Sequence, residues 1–377
     1  MKDKMKAIVI GADHYNTLWV TRSLGNVGYY VIVILLSKTS NCYVCKSKHV
    51  GKHFVVFNEN ELINKLLEIK PDEKVSLYST DDTVSEYIDA HFDLLKDKYF
   101  LPVCGEKQGL LSHWMNKNLM NKKANEVGFN IPWSRSLNLK DESLTNIKGL
   151  TFPCIIKPLK SIYGTKNDVR ICHSEKELLE AQADLKNKCN HVILQQFLKP
   201  DYEITIDCVR FRKDNTVIIP GVILKERTCN STFNLGMVAF ASTDDNTEKY
   251  IDTSILISFL TEIDYDGLCS FDLLIKDGKT YFLEANLRTD GDMFIYTSSG
   301  INFPQLWDFR NRGIDITNLP KRIPKKTYGM IEISYIKYFP WNKPFTAIKE
   351  WWKTDCYSIF SWSDIKPFIY KFLYAIK

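Results

Sequence analysis

Four side chains near residue 280 have the types and spacing to do chemistry. Glu284, Asn286 and Arg288 recur at every second position, so in a strand all three point to one face. Asp272 lies twelve residues before Glu284, inside the apolar run Phe-Asp-Leu-Leu-Ile. Asp277-Gly278, between them, is a hairpin turn signal. Two carboxylates and an amide oxygen converging on one face are hard ligands suited to Mg²⁺, and the neighbouring arginine suits an anionic intermediate. A two-residue turn leaves Asp272 and Glu284 one residue out of register, on opposite faces of the hairpin. The shared site therefore predicts a three-residue loop with Gly278 left-handed, as in a bulge-type hairpin. The competing reading, with equal weight on this segment alone, is a solvated sheet face with chance charges.

Other candidates are more scattered. Lys117 sits in a helical stretch at 113–128, and Lys157 directly follows the apolar run Pro-Cys-Ile-Ile. Lys225, Arg227 and Arg210 are cations on predicted strands, suited to a carboxylate substrate or simply to solvent. Ser-Thr-Asp-Asp (79–82) ends a strand, where open α/β sheets bind ligands; the plainer reading is a helix cap from Thr80 or Asp81. Cys42 and Cys45 have metal-ligand spacing, but no second such pair follows. The turn Gly-Ala-Asp-His-Tyr-Asn (11–16) has one glycine, so it is not a dinucleotide fingerprint.

Taken in order along the chain, these segments resemble the ATP-grasp ligase superfamily over about residues 5–315. The hairpin Phe271–Arg288 is similar to that family's metal-binding hairpin. The resemblance implies that Asp272, Glu284 and Asn286 hold Mg²⁺, as two ions, and that Arg288 stabilises an acyl phosphate. It makes Lys117 and Lys157 the two phosphate lysines, with Gly164 in the phosphate loop that follows Lys157. It makes Leu194–Leu198 the hinge over the adenine, with Gln195 where glutamate is common and backbone groups of Gln196 and Leu198 reading the base. Glu203 would hold the ribose. The loop after Lys157 has only one glycine, where the family usually has several, so side chains of Lys160, Ser161, Thr165 and Lys166 would substitute. The implied reaction is ATP-dependent phosphorylation of a carboxylate followed by attack of an amine, releasing ADP and phosphate. Lys225 and Arg227 are assigned to the carboxylate. The alternatives are a carbamoyl-phosphate-synthase-like enzyme using bicarbonate and a non-catalytic ATP-binding module. Small-molecule carboxylate and amine substrates, a homodimer and no nucleic acid are the expected partners.

Residues 5–105 alternate apolar strands with helical stretches, which predicts a parallel sheet covered on both faces. This Rossmann-like N-terminal domain, a pre-ATP-grasp domain of the α/β class, is placed at 1–110. An α+β ATP-grasp domain is placed at 111–320, with a lid at about 135–197 and a large part at about 198–320. Residues 321–377 form a basic aromatic segment.

The whole chain has 377 residues, 50 Lys+Arg against 45 Asp+Glu, and 45% hydrophobic residues. That balance excludes wholesale disorder. The longest apolar runs are shorter than the ~20 residues a membrane helix needs, and the N-terminus lacks a signal-peptide pattern. A cytoplasmic location is expected. The ten cysteines are then reduced, and many sit in apolar runs. Residues 321–377 carry 11 Lys/Arg against 4 Asp/Glu and 15 aromatics. The favoured expectation is that these rings pack on the body with lysines outward, because Pro340, Pro344 and Pro367 break any long amphipathic helix. Weak contact with a membrane surface is the second reading.

Overall fold

The computed structural model describes residues 4–141, 144–145, 147–159, 168–228, 238–337, 339 and 341–375. Its N-terminal part is a five-stranded parallel sheet. The strands run in the order Val50–Val56, Tyr30–Leu36, Lys6–Gly11, Val75–Ser79, Tyr99–Phe100. Successive strand residues face opposite sides, and both sides are buried. Val9, Val31 and Val33 pack with Leu18 and Leu24 of the helix Tyr15–Asn26. Ile8, Ile10 and Ile34 pack with Leu62 and Leu66 of Glu59–Glu68 and with Val84 and Ile88 of Asp82–Ala90. This is the covered parallel sheet that the alternation predicts.

Two local breaks have clear physical reasons. The stretch Tyr99–Val103 is not one strand. Pro102 has no N–H for a ladder; Tyr99–Phe100 ends the parallel sheet, while Val103–Cys104 crosses to pair with Tyr265–Asp266. The helix expected over 113–128 is two helices, Leu110–Trp114 and Lys117–Glu126. Asn116 breaks it, because its side chain caps the second helix by accepting from the amides of Asn118 and Leu119. Lys117 thereby becomes the first residue of a helix.

A four-stranded antiparallel sheet follows, in the order Ser134–Asn138, His191–Gln196, Cys154–Pro158, Arg170–Cys172. The helix Glu175–Lys186, capped by Ser174, packs on it. The third sheet is the largest. From Lys279–Asn286 it runs through Tyr265–Lys276, Tyr202–Phe211, Val222–Thr228, Val238–Asp244 and Tyr328–Met330 to Cys356–Tyr357. Residues of the C-terminal segment thus complete this sheet. One face lies on the helix Thr253–Glu262, over a core that includes Phe129, Phe259, Phe271 and Phe282. Among the described residues, no helix is long and apolar enough to cross a membrane.

The hairpin corrects the expected turn. Lys276 pairs with Lys279, so the loop has two residues, and Asp277 (φ 49°) and Gly278 (φ 72°) are both left-handed. The extra residue sits within the ladder instead. Leu273 pairs with Phe282, but Asp272 pairs with Glu284, leaving Leu283 as a bulge. Phe282, Ala285 and Leu287 are therefore all buried in the core. Leu283, Glu284 and Asn286 are left on the opposite face, beside Asp272. The carboxylates share a face as expected, by a different device.

Candidate functional site

The face carrying Asp272 and Glu284 is lined with paired charges. Asp272 Oδ1 accepts from Lys225 Nζ at 2.7 Å and from Thr205 Oγ1 at 2.8 Å. Glu284 Oε2 accepts from Lys117 Nζ at 2.9 Å. The Asn286 amide nitrogen donates to Ser270 Oγ at 3.2 Å and lies 3.4 Å from Asp272 Oδ2. Asn286 Oδ1 accepts from Arg288 at 3.2 Å. Arg288 also donates through Nε to Asp82 Oδ1 at 2.6 Å, which ties the N-terminal sheet to the hairpin. Asp272, Glu284 and Asn286 thus present three oxygen donors within one small patch. No cluster of three His, Cys, Asp or Glu side chains suited to a metal occurs among the described residues; this set has two carboxylates and an amide. It fits a hard cation, and each carboxylate meets a lysine charge in the structure.

The electrostatics follow from this packing. Lys117 holds the Glu284 carboxyl far below the usual carboxylate range, against the effect of burial, with Lys157 and Arg288 adding to it. Burial opposes the Lys117 charge, but Glu284 more than offsets it and its pKa is raised. Burial likewise opposes charge on Lys225 and Arg288. Asp272 on Lys225, and Asp82 with Asp290 on Arg288, reverse the effect, so both stay protonated. For Lys157 the attraction of Glu284 is too small to offset burial. Desolvation, with Lys117 as a like charge, brings its pKa down to about 8.

Beside this patch is a cleft between the four-stranded sheet and the large sheet. Ile155, Gln195, Phe197, Leu198, Glu203, Leu274 and Leu283 line it. The bulge therefore puts Leu283 against the cleft and Glu284 at the charged patch. Gln195 is buried, and neither its amide oxygen nor its nitrogen has a hydrogen-bond partner. Among the described residues, the Leu198 amide has no backbone acceptor. The Gln196 N–H donates to the Trp133 carbonyl at 2.8 Å, so the backbone group by which this residue could read a base is its carbonyl. Burial raises the Glu203 carboxyl to about 7, partly offset by Lys225. Gly164 and its loop lie outside the described residues.

Of the proposed substrate cations, only Lys225 reaches the patch. Arg227 is held by both carboxylate oxygens of Glu350, at 2.8 and 2.7 Å, on the helix Pro344–Lys353. A register shift at Glu226 turns it away from the side of Lys225. Arg210 shares parity with Ile204, Ile206 and Cys208, on the core face. It is buried there, donating to the Tyr265 carbonyl and to Asn215. The plain reading of 79–82 holds for Asp81, which caps Asp82–Ala90 by accepting from Val84 N at 2.9 Å. Cys42 and Cys45 are free thiols whose pKa values burial raises.

The sequence reading missed three participants. Asp82 was not singled out, and its role as partner of Arg288 depends on a contact 206 residues apart. Leu283 was hidden by the bulge. Asp207 was legible, since Glu203, Thr205 and Asp207 alternate on one strand face. It is fully buried, and neither carboxylate oxygen has a partner. Burial, with Asp290, Asp292 and Asp272 nearby, raises its pKa well above the usual range.

Comparison with known proteins bears on this arrangement. Residues 122–303 match the model of the ATP-grasp domain. The chain carries an ATP-grasp domain. The D-alanine–D-alanine ligase of Aquifex aeolicus is 27% identical to this chain over 237 residues, covering 60% of it and 76% of the relative. The carbamoyl phosphate synthase large chain of Gemmatimonas aurantiaca is 20% identical over 333 residues, covering 86% of this chain but 30% of the relative. Among solved structures, the L-amino acid ligase of Bacillus licheniformis superposes with a TM-score of 0.61 at 17% identity, covering 81% of this chain and 74% of its own. The biotin carboxylase domain of Hydrogenobacter thermophilus 2-oxoglutarate carboxylase, in complex with MgADP and bicarbonate, gives 0.65 at 14% identity, covering 86% and 74%. These structural likenesses establish the ATP-grasp fold, and the resemblance read from the motifs is borne out.

Proposed function

We propose that the protein is an ATP-dependent carboxylate–amine ligase. The observation that carries the reading is the placement of Asp272, Glu284 and Asn286 with Lys117, Lys157 and Arg288 at the edge of the Gln195–Glu203 cleft. The cleft takes the adenosine, with the Leu198 amide and the unpaired Gln195 amide facing the base and Glu203 the ribose. Lys117 and Lys157 place positive charge on the triphosphate. Asp272, Glu284 and Asn286 hold Mg²⁺, as two ions, which when bound would neutralise charge on the transferring phosphoryl group. The carboxylate oxygen of the first substrate takes the γ-phosphoryl group, giving an acyl phosphate and ADP. The amine then attacks the acyl carbon, phosphate leaves, and an amide bond remains. Arg288, fixed by Asp82, faces the acyl phosphate, and Lys225 is the cation available to the carboxylate. Arg227 is withdrawn from this role by Glu350. The same reading assigns 1–110 to the N-terminal domain and 111–320 to the ATP-grasp domain, and assigns small molecules as both substrates.

The test is a product screen with Mg²⁺, ATP, and pools of carboxylates and amines. ADP formation that requires both an acid and an amine, and is lost in Glu284→Gln, supports the ligase. AMP as product overturns the acyl-phosphate route. The alignment with a carbamoyl phosphate synthase over 86% of this chain favours one second reading, phosphorylation of bicarbonate. ADP formed with bicarbonate alone would select it. Tight ATP binding with no turnover in any pool would select a binding module.

A further inference from the structure

The C-terminal surface carries large apolar side chains that nothing covers. Trp341, Phe345, Trp352 and Trp362 are 83, 86, 85 and 83% exposed. The favoured expectation, rings packed on the body with lysines outward, holds for Tyr335, Tyr357, Phe368 and Tyr370 but fails for Trp341, Trp352 and Trp362. The prolines do not prevent helices here. Pro344 opens the helix Pro344–Lys353 and Pro367 lies in the first turn of Lys366–Ala375, positions where a missing N–H costs nothing. In the first helix, Phe345, Ile348 and Trp352 recur at helical spacing and are exposed, while Ala347 is buried and Glu350 is held inward by Arg227.

Trp341 and Trp362 are exposed ends of a chain of ring contacts that passes through the buried Tyr335, and Phe345 and Trp352 lie on the helix that carries Trp351. Ring-to-ring contacts of 4.8–6.2 Å run from Trp341 through Phe339, Tyr335, Trp351, Tyr357 and Phe360. From Phe360 they continue to Trp362 and to Phe368 and Phe372. A patch of this extent on a water-soluble surface marks an interaction site.

The charges say what it meets. Three of the four acids in residues 321–377 are turned inward. Glu332 accepts from the Ser358, Ile359 and Phe360 amides, Glu350 is held by Arg227, and Asp364 is buried against Arg22. Lys343, Lys349, Lys353 and Lys366 are exposed around the rings. Tryptophans interleaved with lysines, with Asp355 the one exposed acid of the segment, match the anionic interface of a lipid bilayer. A second copy of this chain would set lysine against lysine. Nucleic acid would use the rings but not the exposed aliphatic Ile336, Ile348 and Leu373.

We propose that the surface built by Trp341, Phe345, Trp352 and Trp362 with the surrounding lysines docks the protein peripherally on anionic membranes. The test uses the full chain with phosphatidylcholine vesicles, with and without phosphatidylglycerol, followed by co-sedimentation and tryptophan emission. Binding to the anionic vesicles with a blue shift, weakened by added salt, is expected. Phe345→Ser with Trp352→Ser should weaken partitioning by about tenfold. Lys343→Gln and Lys349→Gln should each cost about fivefold. Both sets should leave nucleotide affinity unchanged, which shows that the variants fold. No binding to either vesicle, or binding that these variants do not alter, overturns the proposal. So does a concentration-dependent dimer that the serine variants abolish without any lipid binding.

Discussion

Under the proposed function, Lys157 should make nucleotide affinity depend on pH in a calculable way. It is buried, faces Lys117 and Glu284, and loses its proton at about pH 8 in the free protein. Lys117 stays charged and Glu284 stays ionised across this range, because each stabilises the other. If the ammonium form is the one that receives phosphate, affinity is full below pH 8 and falls above it. At pH 7 about nine-tenths of Lys157 is protonated, and at pH 9 about one-tenth. The apparent Kd for ATP should therefore rise about tenfold between pH 7 and pH 9, worth about 1.4 kcal/mol. Titration with a fluorescent ATP analogue at constant ionic strength measures this directly. Lys157→Arg, which carries its charge at every accessible pH, should flatten the alkaline limb. Lys157→Met should flatten it at uniformly weak affinity. A wild-type profile that is level to pH 9, or a fall that persists in Lys157→Arg, would refute the assignment.

Further outcomes follow from the same geometry. Glu203→Gln should weaken ATP binding yet raise stability at pH 8 by at most about 3 kcal/mol. Its folded pKa of about 7 lies above the ordinary value, so the native state binds the extra proton and stability falls as pH rises from about 4.5 to 7. Urea melts at pH 5 and pH 8 would show this, and an unchanged difference between wild type and variant at the two values would count against it. Arg227→Met should leave turnover within about twofold while costing about 2–3 kcal/mol, since Glu350 is left with Tyr335 as its hydrogen-bond partner. A collapse of turnover with normal stability would return Arg227 to the active site. Asp82→Asn should lower turnover about tenfold or more with nucleotide affinity preserved, because it removes the carboxylate charge that fixes Arg288 Nε and leaves Asp290 to hold the guanidinium. An equal loss in both would show that Asp82 supports the fold instead.

Much of the site was legible because its chemistry follows a strand's period of two. Glu284, Asn286 and Arg288 announce one face, and Glu203, Thr205 and Asp207 another. The same rule misled at the turn. Parity required one extra residue between Asp272 and Glu284, and the sequence offered no way to tell a loop residue from a bulge. Burial of Phe282, Ala285 and Leu287 decided it. The cations were the least legible, since lysine and arginine side chains are long and strand position alone does not say which carboxylate they reach. Lys225 found Asp272, Arg227 found Glu350, and Arg210 went to the core side.

The residue pattern alone determined the parallel N-terminal sheet and the hairpin with its acidic face. These rest on local periodicity and on residue chemistry, which need no knowledge of distant neighbours. Tertiary structure decided the rest: that Asp82 anchors Arg288 across 206 residues, that the Gln196 amide is spent on Trp133, and that the C-terminal tryptophans face outward. Each of those outcomes is a choice among partners of similar chemistry. Only the packing of whole elements brings one partner within 3 Å and leaves the others in solvent.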